Sequence, residues 1–288
     1  MAKTKLAADL DAPYVVGGDF SSQAAREGHV AIDRAHFVRC WSPPSGDMAS
    51  IVYSAALAIA TVGVVAAFMT SVLGGLALLA AAFAVFLLGR YVQHRESRQH
   101  AEAWQTAASL GCLLPGVAVT LEPDAGLYAV YSDVGNRGGP PGVERHPMLR
   151  MRWTHLGQAD PSLEVGDELP CVATYSDDPE WERRGSWGDF VAVPVVCYTR
   201  SEPTRQRCAD RLPPECWENL RAALLCQGPI DPEVDEAVRF DPWLFGEAKS
   251  HLAELEASGK LPSLSDLLTD AAHHDGFLES VKQTESRS

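Results

Sequence analysis

The chain has 288 residues, 46% of them hydrophobic and 22% charged, with a formal net charge of −14. Such acidity argues against nucleic-acid binding, which rests on clustered Lys and Arg, and against a soluble part lying flat on an anionic lipid leaflet. With a membrane segment set aside, the length leaves one compact domain plus appendages.

Met1–Gly18 reads as loosely held. Met1–Ala35 has no apolar core and no cleavage site, so no signal peptide is expected and a later segment must direct insertion. Ser21 and Ser22 are caps for a helix from about Gln23 to Cys40, in which Val30, Phe37 and Val38 form a partial apolar face. Its polar face is poor in Lys and Arg, so the helix is expected to pack on a soluble domain rather than at a lipid interface. Pro43 and Pro44 end it.

Ile51–Gly89 carries no charged side chain. A bilayer core about 30 Å thick needs roughly 20 apolar residues per helix, and this run is about twice that. Two spans are expected, about 51–69 and 76–93, joined by a turn in which Gly74 and Gly75 supply the positive φ a tight reversal needs. Ala56, Ala60, Gly63 and Ala67 make one seam of small residues; Ala77, Ala81 and Ala84 make another. Such seams let helices approach closely in lipid, within the hairpin or between copies in a homo-oligomer. Arg34 and Arg39 precede the run, Arg90, Arg95 and Arg98 follow it, and the turn is uncharged. Both ends should therefore face the cytoplasm, with Tyr53 and Tyr91 at the interface. A multi-pass protein of the cell membrane with cytoplasmic N- and C-termini is the expectation, the lipid bilayer being its first partner. Seven cysteines without a C-x-x-C pair fit buried, reduced thiols.

A helical stalk over 94–111 is expected to continue the second span. Apolar periodicity then switches to two: Cys112–Leu121, Leu127–Ser132, Leu149–Trp153, Leu169–Tyr175 and Phe190–Tyr198 read as strands, with Pro/Gly/Asp turns between them. Pro170 and Pro194 should lie at edges or bulges. Helices follow at Glu202–Arg211 and Glu215–Cys226, then an acidic tail with weaker helices near Pro232–Val238, Gly246–Ser258 and Ser263–Ala272 and an unstructured last dozen residues. The predicted fold class is α+β: a two-helix transmembrane hairpin followed by a small five-stranded β-barrel of the OB or SH3 kind with C-terminal helices. The expected boundaries are 1–50 for the N-terminal segment, 51–93 for the hairpin, 94–111 for the stalk, 112–200 for the barrel, 201–227 for packing helices and 228–288 for the tail.

A polar N-terminal helix, two spans, the Val165-Gly166-Asp167 turn, and Val193-Pro194-Val195 leading to a helix at Trp217 together resemble a bacterial membrane family, domain of unknown function 3239, over the chain up to about Cys226. That resemblance implies a membrane protein and supplies no mechanism. The pairing of a membrane hairpin with a small cytoplasmic barrel is also similar to NfeD-like proteins, where the barrel binds a partner; the likeness is architectural.

Motifs for chemistry are missing. There is no G-x-x-x-x-G-K-[ST], G-x-S-x-G or H-E-x-x-H, and Gly135–Gly142 has the prolines of a hairpin connection. No catalytic residue, cofactor or metal is expected. His273-His274-Asp275 reads as a solvated stretch of the tail rather than a metal site. Trp181 and Trp187, in a charged loop, either anchor a protein partner or cover the barrel's end, and Trp243 and Phe245 join them as partner-binding candidates. The expected function is a non-catalytic scaffold that anchors an interaction domain for an unidentified protein partner. Two alternatives stand beside it: a membrane-tethered enzyme with a site near His155, Cys171 and Asp177, and an accessory subunit of a transport or envelope complex.

Overall fold

The structure is a computed structural model. It describes residues 29–41, 61, 80–81, 83–87, 89–91, 105, 108–109, 111–123, 125–135, 146–176, 187–230 and 237–285. The chain divides into two units, Met1–Ala7 with Ser42–Trp104, and Ala8–Trp41 with Gln105–Ser288.

In the first unit the described residues are helical. Phe83, Phe86, Leu87 and Tyr91 are 61%, 43%, 50% and 63% exposed. Among the described residues no helix is long and apolar enough to cross a membrane, and most of 51–93 lies outside them.

The second unit is α+β. Helix α1 (Arg34–Cys40) precedes strands β1 (Cys112–Leu121), β2 (Gly126–Asp133) and β3 (Pro147–Thr154). The short helix α2 (Leu156–Ala159), β4 (Glu168–Ser176), β5 (Asp189–Pro194), α3 (Val195–Tyr198), α4 (Glu202–Asp210) and α5 (Pro214–Gln227) follow. The chain then runs through β6 (Ala237–Arg239), α6 (Pro242–Ala257), α7 (Leu264–Thr269) and α8 (Ala271–Glu285).

Six strands form one antiparallel sheet in the order β5-β4-β1-β2-β3-β6, curled into a half-barrel. This corrects the expected five-stranded closed barrel. The sixth strand falls where a weak helix was expected, and β5 and β6 share no ladder. β1 from Cys112 to Val119 and all of β2 are buried. The central strands therefore read as apolar runs rather than alternating ones, because both faces are covered. α5 packs across β1, β2 and β3, while α3 and α4 pack against β4.

Two devices shape the sheet. Between Ala118 and Thr120 the register of β1 on β2 slips by a bulge, which raises the local twist. Ala118 is then bonded from the other side, its N–H donating to the Asp167 carbonyl (3.1 Å) and its carbonyl accepting from Gly166 (2.8 Å). Prolines are also placed where no ladder donor is lost. Pro115 on β1 lies directly opposite Pro170 on β4, just beyond the residues that pair with β2 and β5, and Pro194 ends the edge strand.

Three more expectations change. β5 stops at Pro194 and Val195–Tyr198 turns as a helix, so the expected strand Phe190–Tyr198 is cut short. α1 starts at Arg34, capped by Asp33, whose carboxylate accepts from the His36 N–H at 3.1 Å; His29–Asp33 is not helical. The C-terminal region is helical through Glu285, where an unstructured end was expected.

Candidate functional site

The residues before and after the apolar run fold together. His29 and Val30 donate backbone hydrogen bonds to Ser109 and Ala108 at 3.1 and 3.0 Å, and Asp33 donates to Tyr198 at 2.9 Å. The Ile32 N–H is received by the Gln105 side chain at 3.1 Å. α1 buries His36, Phe37 and Cys40 in this unit, and Phe37 stacks on Tyr198 with centroids 5.2 Å apart. The Cys40 carbonyl accepts from the Thr154 hydroxyl (2.7 Å) and the His155 N–H (3.2 Å). The Arg200 Nε donates to His36 Nδ1 at 3.1 Å, which leaves the ring proton on Nε2 to be donated to the Val196 carbonyl at 2.8 Å. Ser42–Trp104 is therefore an excursion from one folded body.

The partner-binding candidates separate. Trp187 is 1% exposed: its ring tilts over Tyr175 at 5.6 Å and its backbone N–H donates to the Val134 carbonyl at 2.8 Å. Phe245 is 2% exposed and stacks on Tyr131 at 5.5 Å. Both belong to the core, because each sits where a helix or loop closes over the sheet, and neither is available as a surface anchor. Trp243 is 47% exposed at the start of α6, where the Asp241 carboxylate caps its backbone N–H at 2.8 Å. Trp181 lies outside the described residues. So do Ala56, Ala60, Gly63, Ala67 and Ala77, while Ala81 and Ala84 are helical and exposed.

The residues of the enzyme alternative are described in part. Cys171 is fully enclosed, burial pushes its thiol well above the ordinary range, and it donates to the Leu169 carbonyl at 3.3 Å. A nucleophilic cysteine needs the opposite shift. His155 begins α2, and Asp177 lies outside the described residues. His274 Nδ1 is 2.8 Å from the Leu225 carbonyl, so it joins the fold rather than a solvated tail. Among the described residues no group of three or more His, Cys, Asp or Glu is placed to hold a metal ion.

The surface feature with binding character is one the sequence reading missed. A groove of about 390 Å³ runs between α5 and α6. One wall is Pro214, Trp217, Glu218 and Arg221; the other is Lys249, Leu252, Ala253 and Glu256; Glu168, Leu212 and Leu261 close it. Each wall is a stripe at i, i+3, i+4 and i+7, the spacing of one helix face. Leu212, Trp217 and Leu252 form a floor that is 5%, 8% and 6% exposed, and Leu261 is 39% exposed. Arg221 pairs with Glu168 at 3.5 Å and Lys249 with Glu215 at 3.8 Å. A second cavity of about 400 Å³ beside α4 is already internally matched, Arg205 bridging Asp160 and Glu202.

No protein-family model and no curated protein matches the chain, so the resemblance to domain of unknown function 3239 stays one of short motifs. A likeness exists among solved structures. A crystal structure of a putative membrane protein from Corynebacterium diphtheriae aligns at 21% identity and TM-score 0.30, over 38% of this chain and 84% of the other. A score that low does not establish a shared fold.

Proposed function

We propose that this protein is a membrane-anchored scaffold: a hairpin within Ser42–Trp104 fixes the α+β unit at the cytoplasmic membrane face, where the unit binds a protein partner. The observation that carries the reading is the hydrogen bonding of His29–Asp33 with Gln105–Ser109 and Tyr198. Both flanks of the apolar run belong to one folded body, and an odd number of crossings would put them on opposite sides of the bilayer. An even number keeps them together. Phe83, Phe86, Leu87 and Tyr91 support lipid contact, since a helix in water buries such side chains and a helix in lipid presents them.

Alkaline carbonate extraction with reporter fusions at each terminus tests this. The chain is expected to remain in the membrane pellet with both reporters reading the cytoplasm. Release into the supernatant overturns the anchor, and termini reading opposite faces overturn the hairpin.

A further inference from the structure

We propose that the groove between α5 and α6 is the docking site for a cationic, amphipathic helix of the protein partner. The assignment rests on the reading of this unit as an interaction module, and supplies the chemistry of what it binds.

Charge selects the occupant's sign. The groove lining holds three carboxylates, Glu168, Glu218 and Glu256, against two cations, Arg221 and Lys249. Both cations are spent inside the protein, on Glu168 and Glu215. Glu218 on one wall and Glu256 on the other are exposed and pair with no cation among the described residues. An apolar floor between two uncompensated carboxylates favours a ligand with an apolar centre and positive flanks, and repels an acidic one.

Geometry selects its conformation. From Pro214 to Arg221, and from Lys249 to Glu256, each wall is two helical turns, about 10 Å long. Both walls are helical, so an extended segment would find no strand edge to join. A helix brings its own backbone bonds and needs only side-chain contacts. One Leu or Met of such a helix sits over Trp217 and Leu252 against Leu261, and Lys or Arg one turn to each side reaches Glu218 and Glu256.

The test uses the full chain in a non-ionic detergent and a labelled Ala/Gln-based helix of about three turns, with one Leu flanked by Lys a turn away on each side. A matched peptide carries Glu in place of Lys. By fluorescence anisotropy the Lys peptide is expected to saturate and to bind about tenfold tighter than the Glu peptide. The Glu218→Gln/Glu256→Gln double variant should abolish that preference, and Glu254→Gln, on α6 outside the groove, should leave it. No saturation, equal binding of the two peptides, or a preference that survives the double variant overturns the assignment. Disulfide capture of a second copy by Ala253→Cys overturns it in favour of self-association. Because membrane extraction is read separately, a chain that stays in the pellet yet discriminates neither peptide overturns the groove alone.

Discussion

The guanidinium of Arg150 on β3 pairs with the carboxylate of Asp189 on β5, although three strands lie between them in the sheet. Only a strongly curled sheet brings those two together. Arg239 on β6 adds to the closure by donating to the carbonyls of Trp187, at 2.9 Å, and Gly188, just before β5. The Tyr128 hydroxyl on β2 reaches across to the Ala192 carbonyl of β5 at 2.7 Å. Side chains thus close a barrel that backbone ladders leave open. They also occupy carbonyls of an edge strand that would otherwise invite pairing with another chain.

Arg239→Ala should therefore cost more than Arg150→Ala. Arg239 serves backbone carbonyls with a charged donor, an interaction of about 2 kcal/mol, whereas the partner of Arg150 is 39% exposed and the pair contributes about 1 kcal/mol or less. Denaturant midpoints of the two variants check the order. Hydrogen exchange over 187–194 should rise most in Arg239→Ala, and equal effects would mean that Arg239 does not hold the edge.

Gly166 sits at φ +93° in the turn that bonds Ala118 at the bulge, and a Cβ there would come within 2.9 Å of the Ser265 backbone nitrogen. Gly166→Ala combines a left-handed backbone with a collision against the first turn of α7. A loss of about 2 kcal/mol is expected, read as a lowered thermal midpoint. Gly259→Ala, also at positive φ but in open space, should cost about half as much.

The strands were readable because four of them carry apolar runs bounded by turn residues, and β1–β4 fall within a few residues of the expected limits. β6 was not, since three residues, Ala237–Arg239, are too few to show a period, and only pairing with β3 defines them. Val195–Tyr198 has strand composition, and burial of all four side chains overrides that preference once Pro194 ends the ladder. Composition left Trp187 open between a partner anchor and a cover for the barrel's end, and its burial just before β5 depends on tertiary packing that no local pattern shows. The groove was half legible. The stripe Pro214, Trp217, Glu218 and Arg221 lies in the helix expected there, but its opposite wall depends on α6 docking beside α5, which no local pattern encodes.

All seven cysteines are buried thiols, none in a disulfide. Burial lifts Cys40 to about 11 and Cys226 to about 12, and raises Cys171, Cys197 and Cys208 as well. A thiol reacts as its thiolate, so the folded chain should resist alkylation at neutral pH. Mass spectrometry after N-ethylmaleimide is expected to show little labelling of the native chain and seven adducts after denaturation. Rapid native labelling of Cys171 would favour the enzyme alternative.

Asp160 gives the domain an acid-sensitive contact. Burial acts to raise its pKa, but the hydroxyl and N–H of Ser162, at 2.6 and 3.0 Å, and the Arg205 guanidinium outweigh that and hold the carboxyl below its ordinary value. A carboxylate with a depressed folded pKa contributes stability that is fully present above its unfolded value and is lost as pH falls through the folded one. At pH 7, Asp160→Asn should cost about 1 kcal/mol, screened because the site borders solvent. The gap between variant and parent should close below about pH 4, where the parent's carboxyl also takes up its proton. Urea midpoints of both proteins across that range decide the matter, and a difference that persists unchanged in acid would show that Asp160 acts through its shape rather than its charge.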